Sequence, residues 1–156
     1  MSDVTITLLD GADPLAAELA RLHAAEWGHL YRNWDGAVAQ AEFRTHRRDG
    51  SLPATLVLRQ EGQLAGVVSI THGDCEARTD IDPWLASLYV VPEFRGRGHA
   101  HRLIAAAIDH AAAAGEQALH VFTESATELF QQHGFAELER TTVHGQPIVI
   151  LRRELL

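Results

Sequence analysis

Leu88-Tyr89-Val90-Val91-Pro92-Glu93-Phe94-Arg95-Gly96-Arg97-Gly98-His99-Ala100 is the stretch on which the fold turns. Leu88 to Val91 are apolar on both alternating faces, the pattern of a central strand buried on both sides. Pro92 has no amide hydrogen for a ladder, so the strand stops there. A helix follows, because Ala100, Leu103, Ile104, Ala107, Ile108 and Ala111 recur on one stripe. Its start is electrostatically odd. A helix N-terminus is partially positive and favours Asp or Glu, yet the approach and first turn hold Arg95, Arg97, His99, His101 and Arg102. Each like-signed charge there costs roughly 0.3–1 kcal/mol unless something compensates it. Gly96 and Gly98 let the backbone come close to a ligand. Free amides, a helix dipole and flanking cations thus converge on one point, which describes an anion site. Two phosphate motifs fit poorly. No Gly-Lys-Ser/Thr ending exists for a Walker loop, and His101 stands where the dinucleotide fingerprint needs its third glycine.

Working outward, Val4 to Leu8 alternates and reads as a strand. Asp13-Pro14 supplies an N-cap and a first-turn proline for a helix running to Trp27. A second helix is expected over about 35–48. Strands over 54–60 and 63–71 flank the turn Glu61-Gly62. A polar connection, 73–82, leads to the strand 83–91. Beyond the long helix, which Gly115 ends, 118–122 reads as a strand. The βαβ unit so formed predicts parallel pairing of 83–91 with 118–122. Ser125 and Glu128 form a capping-box pattern for a short helix ending at Gly134. Strands over 135–143 and 147–152 close the chain as a hairpin around His144-Gly145-Gln146. The order is strand, two helices, three strands, helix, strand, helix, two strands. That is an α/β fold with a mixed sheet, and 156 residues suit a single domain over 1–156.

Composition narrows the function. A formal charge of −8 disfavours nucleic acid as a partner. No apolar run is long enough to span a membrane, and Met1 to Thr7 has no signal-like apolar segment. A single cysteine, Cys75, excludes an internal disulfide framework and suits a reducing, cytoplasmic setting. Its acidic neighbours Asp74 and Glu76 make it an inert thiol. Ten histidines are scattered, and His99 and His101 point to different faces of a helix, so no metal site is expected.

The segment Leu88–Ala100 resembles the acyl-CoA motif of the GNAT superfamily of N-acetyltransferases, Arg/Gln-x-x-Gly-x-Gly/Ala after a strand ending in Val-x-Pro. Arg95, Gly98 and Ala100 match it position by position. Leu129-Phe130-Gln131-Gln132-His133-Gly134-Phe135 is similar to the family's second motif, Leu-Tyr-x-x-x-Gly-Phe, and the element order agrees over nearly the whole chain. The resemblance implies a GNAT-like fold and acetyl-CoA as co-substrate, without a metal. It implies that backbone amides of Arg95, Gly96, Arg97, Gly98, His99, Ala100 and His101 hold the pyrophosphate. The pantetheine arm would lie beside Leu88, Tyr89, Val90 and Val91 like an added strand, in a splay between 83–91 and 118–122. A small-molecule or peptide amine would enter from the other side and attack the thioester directly, the oxyanion meeting an amide near Leu88–Val90.

The chain departs from the family at two places. Ser87 stands where members often carry a carboxylate, and serine could only orient a water. Phe130 replaces the tyrosine that often protonates the leaving thiolate; it keeps apolar contact with the pantetheine end but has no proton. His120, next to the splay with an ordinary pKa near 6.5, is the preferred base; His72 and Glu26 are weaker alternatives. His133 is explained by its place at a helix C-terminus. Trp27, Tyr31 and Trp34 fall where the family builds its acceptor pocket and would stack on a substrate or pack in the core. The rival reading is an acyl-CoA-binding sensor or regulatory module without turnover, motivated by Ser87 and Phe130. The terminal strands also leave room for a homodimer.

Overall fold

The computed structural model describes residues 3–9, 15–27 and 52–155. Its strands are β1 (Val4–Leu8), β2 (Ala54–Gln60), β3 (Gln63–Thr71), β4 (Trp84–Val90), β5 (Ala118–Thr123), β6 (Ala136–Val143) and β7 (Gln146–Glu154). Its helices are α1 (Leu15–Trp27), α2 (His99–Ala113) and α3 (Thr127–Gln131), with a 3₁₀ turn over Pro92–Phe94. The strands form one sheet in the order β1-β2-β3-β4-β5-β7-β6. Every pairing is antiparallel except β4 with β5, the two strands joined through α2. The expected mixed sheet is therefore present.

The two faces of the sheet bury different sets. Leu103, Ile104, Ala107 and Ala111 of α2 pack with Leu58, Val68, Ile70, Leu85, Leu119 and Val121. On the opposite face α1 places Leu19 and Ala20 against Val57 and Val67. Further along that face Trp84, Cys75, Val143, Ile148 and Ile150 form a third cluster. The alternation of each strand assigns these residues to their faces, and this apolar burial is the main force holding the layers together.

Register shifts occur at Leu58/Arg59, Glu137/Glu139 and in β4, and the last bears on the site. Tyr89 faces Val67 and Ala86 faces Ser69, so Val68 is opposed by both Ser87 and Leu88. The extra residue is a β-bulge, with Ser87 at φ 59°. It reverses the parity of the strand. Leu85 and then Leu88 and Val90 all meet the α2-side core, although Leu85 and Leu88 are an odd number of positions apart.

Two local expectations change. The short helix α3 starts at Thr127 with Ala126 as N-cap and no side-chain cap, so Ser125 and Glu128 form no capping box. Instead the Thr123 hydroxyl accepts the Ala126 amide at 2.9 Å and the Ser125 amide at 3.3 Å. The Thr123 hydroxyl thus fixes the approach to the helix rather than its first turn. The helix expected over 35–48 lies outside the described residues, as do Tyr31 and Trp34.

Candidate functional site: a glycine loop at the mouth of a split sheet

After β4 the 3₁₀ turn buries Phe94 and closes with the Arg95 amide on the Pro92 carbonyl at 3.2 Å. Gly96 and Gly98 then take φ of 79° and 80°, backbone that side chains with a Cβ rarely adopt. Gly98 is the N-cap of α2 and supplies no side-chain cap, which leaves the first-turn amides for an external acceptor. The cations are held around this turn. The Arg95 guanidinium lies 5.6 Å from the Tyr89 ring centroid, and its Nε donates to the Val90 carbonyl at 2.9 Å. Arg97 lies 5.3 Å from the Phe94 ring centroid. Arg102 Nη1 donates to the Arg97 carbonyl at 2.7 Å. Stacked and hydrogen-bonded arginines lose little further freedom when an anion arrives.

The two histidines of the loop differ from what their sequence positions suggest. His99 turns inward, 3 % exposed, with its Nε2 2.8 Å from Gln60 Oε1 and its Nδ1 3.1 Å from Arg102 Nη1. Burial, then the charges of Arg102 and Arg97, push its pKa down. His101 is exposed and its Nδ1 lies 2.8 Å from Nε2 of His133. His133 is thus more than a helix-end cation; burial, then His101, pushes its pKa down. At His99 only the backbone amide remains for a ligand at the turn.

The second half of the site is the gap beside β4. Strands β4 and β5 share a single register pair, Trp84 with His120, and no pair beyond it. Past that point Ser87, Leu88, Tyr89, Val90 and Val91 are only partly buried. The Val91 amide is taken by the Ala65 carbonyl of β3 at 2.8 Å. By alternation the Val90 amide and carbonyl point the other way, into the gap, where Arg95 already holds the carbonyl. The bulge at Ser87 lies on the same stretch and shifts the register of the β3 ladder.

His120 sits at the vertex of this gap, on the face opposite Leu119 and Val121. It is 4 % exposed, 5.5 Å from the Trp84 ring, and its Nδ1 lies 3.1 Å from the Pro83 carbonyl. A carbonyl can only accept, so Nδ1 carries the proton and Nε2 is the basic nitrogen. Burial pushes the His120 pKa down, the Pro83 carbonyl opposing it. Phe130 is 4 % exposed and meets Phe135 edge-on with centroids 5.7 Å apart, so its ring packs in the core. Its ring fills the space under α3, a role its apolar character dictates. Glu26 and Trp27 close α1, and His72 follows β3. Cys75 is a buried free thiol whose pKa burial pushes up, in keeping with an inert role. Among the described residues no group of three or more His, Cys, Asp or Glu could hold a metal ion, and no helix is long and apolar enough to cross a membrane.

Reading the sequence missed Gln60 and the conformation of Ser87. Gln60 ends an ordinary strand, and only its burial beside His99 gives it meaning. A serine at positive φ has no sequence signal, since Gly, Asn or Asp is the usual sign.

A model of the Acetyltransferase (GNAT) family matches residues 17–135. An N-acetyltransferase from Staphylococcus aureus Mu50 has a similar structure, with TM-score 0.74, 19 % identity and 99 % of each chain covered. The protein yncA from Salmonella typhimurium, solved with its cofactor acetyl-CoA, gives TM-score 0.73 and 19 % identity over 97 % of this chain and 94 % of its own. N-acetylglutamate synthase from Neisseria gonorrhoeae, complexed with coenzyme A and N-acetyl-glutamate, gives TM-score 0.67 and 23 % identity over 99 % of this chain and 35 % of its own. No curated protein matches the chain significantly. At these identities the structural likeness speaks for the fold.

Proposed function

The chain belongs to the GNAT acetyltransferase family, and from that premise we propose that it moves an acetyl group from acetyl-CoA to a primary amine of a small molecule or peptide. The observation that carries this reading is the conjunction of a glycine turn at a helix N-terminus with a sheet that splits directly before it. The first suits a pyrophosphate, the second an extended arm. On this reading the pyrophosphate and the pantetheine arm of one CoA molecule each meet a binding element.

The residues divide the labour. Amides from Gly96 to His101 bind the pyrophosphate, the Arg95 amide being spent on the Pro92 carbonyl, with Arg95 and Arg97 adding charge. Leu88, Tyr89, Val90 and Val91 form the wall for the pantetheine arm, and the Val90 amide is its hydrogen-bond donor. An amide near Leu88–Val90 meets the carbonyl oxygen as it gains charge on this reading. Acetyl-CoA supplies an activated thioester; the acceptor amine attacks it directly in a ternary complex. An N–C bond forms, the C–S bond breaks, and the amine's proton must leave. His120 Nε2 is the proposed base, kept neutral by burial and turned outward from Pro83 by the Nδ1 hydrogen bond. Solvent protonates the departing thiolate, because Phe130 has no proton to give. The enzyme works as a cytoplasmic protein on this reading.

Release of free thiol from acetyl-CoA, followed across amino acids, peptides and aminoglycosides, tests the proposal. Turnover with at least one amine is the expected result. Tight CoA binding with silence toward every amine favours the second reading, a non-catalytic acyl-CoA sensor, which Ser87 and Phe130 motivate by leaving two usual proton-transfer positions without a titratable group.

A further inference from the structure

His99 is an unusual residue to bury at a helix start. It occupies the first position of α2, next to the glycine N-cap, yet its ring points away from the anion-binding turn. Both of its nitrogens are engaged. Arg102 Nη1 can only donate, so Nδ1 at 3.1 Å must accept and carry no proton. Nε2 then carries the proton and donates to the Oε1 of Gln60 at 2.8 Å. Gln60 is itself buried and is the last residue of β2. The same Arg102 Nη1 donates to the Arg97 carbonyl at 2.7 Å and lies 3.6 Å from where a Cβ on Gly98 would be. A continuous polar chain therefore runs from β2 through His99 and Arg102 to the carbonyl in the middle of the glycine turn.

We propose that His99 is a positioning residue for the acyl-CoA pyrophosphate, its neutral Nε2–H tautomer bracing the Arg95–Gly98 turn against β2 through Gln60 and Arg102. The inference rests on the reading of this turn as the CoA site. Gly96 and Gly98 give the turn the conformation a phosphate needs, and glycines have the greatest backbone freedom to lose. A turn with two glycines needs an external tie to hold its amides converged. The Gln60–His99–Arg102 chain is that tie, and it needs the unprotonated Nδ1. A second proton on the ring would set two donors face to face and add a cation beside Arg102 of α2 and Arg97 of the turn, while Gln60 of β2 is neutral. These are the charged and polar groups that act on His99.

The pH response separates this role from simple charge attraction. If His99 were one more cation for the phosphates, acidification would tighten CoA binding. As a brace it weakens binding once Nδ1 is protonated.

The test is calorimetric titration of the full chain with CoA between about pH 5 and 8, for wild type, His99→Ala, His99→Asn and Gln60→Glu, with circular dichroism to establish that each is folded. His99→Ala should raise the Kd about tenfold at pH 7.5, the loss of roughly one hydrogen bond's net worth. His99→Asn keeps an acceptor for Arg102 and has no proton to gain, so it should recover part of that loss and lack the wild type's acid weakening. Gln60→Glu sets a carboxylate against Nε2–H and favours the imidazolium, so the acid weakening should begin at higher pH. Wild type and folded variants with the same Kd and the same pH profile overturn the inference while leaving CoA binding intact. Wild type that fails to bind CoA at any pH overturns the functional reading and the inference with it. If His99→Ala does not fold, Gln60→Glu alone decides, through the position of its acid limb.

Discussion

Ser87 holds φ at 59°, in the left-handed region where a residue with a Cβ is strained by roughly 1–2 kcal/mol. Strain of this kind persists only where the surroundings over-determine it, and here it shapes the bulge beside the split. Two substitutions separate the conformation from the hydroxyl. Ser87→Gly adopts the same φ freely, so turnover should stay within about threefold of wild type if the backbone is what matters. Ser87→Val resists that φ and should lose at least about tenfold in kcat, with a stability loss of about 1–2 kcal/mol. Equal losses in both variants would assign the role to the hydroxyl. His120 makes a second prediction at this scale. Its pKa is pushed down, so the basic form persists below the ordinary histidine range. The acid limb of kcat should therefore lie below about pH 6.5. His120→Ala should lower kcat at pH 7 by about 10²-fold, the lower end of what a positioned base supplies, without a matching rise in KM for acetyl-CoA. An unchanged rate removes His120 as the base.

At the scale of the element, α2 approaches β3 closely because of Gly66. A Cβ there would stand 2.9 Å from Leu103 Cδ1 and 2.9 Å from the Tyr89 carbonyl oxygen. Leu103 could turn, but the carbonyl belongs to β4 and can yield only by moving the strand that walls the split. Gly66→Ala should cost about 1–3 kcal/mol of stability by overpacking, measured by urea unfolding, and should raise the KM for acetyl-CoA. A stability loss with KM unchanged would mean that β4 does not transmit the shift. The elements themselves were largely legible. The Asp13-Pro14 start foretells α1, the apolar stripe α2, and apolar patterning between turn residues the strands of the described residues; the βαβ rule foretells the parallel pair. The glycine turn was legible because cations against a helix dipole need a reason. The bulge was not, since Ser87 reads as one more small strand residue and the register shift shows only against β3. Nor were the directions of His99, His101 and Phe130, because sequence gives their positions while packing decides which way each side chain turns. The missing capping box has the same cause: the helix starts after Ala126, and Thr123 binds the Ser125 and Ala126 amides.

Across the whole molecule, the histidines couple stability to pH. His99, His120 and His133 are all pushed down, burial being the first cause for each. In the unfolded chain they titrate near pH 6.5. The folded protein therefore binds fewer protons than the unfolded chain in the interval below that value. Their stabilising contribution is complete above about pH 6.5 and is lost as pH falls through the lowered folded values. One other term acts in this range. The formal charge of −8 makes the compact chain repel itself, and acidification relieves that repulsion. At physiological salt, charges more than about 8 Å apart on the surface are screened, whereas a buried imidazole keeps its desolvation penalty, so the local effect wins. Asp80, held down to about 2 by its hydrogen bond with Arg78, loses its contribution only below about pH 4 and does not enter here. Thermal melts in about 0.15 M salt should accordingly give a lower Tm at pH 5.5 than at pH 7.5. His99→Asn, with one of the three groups gone, should narrow that difference, and saturating CoA should widen it if the donor site needs His99 neutral. A Tm that holds steady or rises on acidification would show instead that relief of the acidic surface outweighs the buried rings.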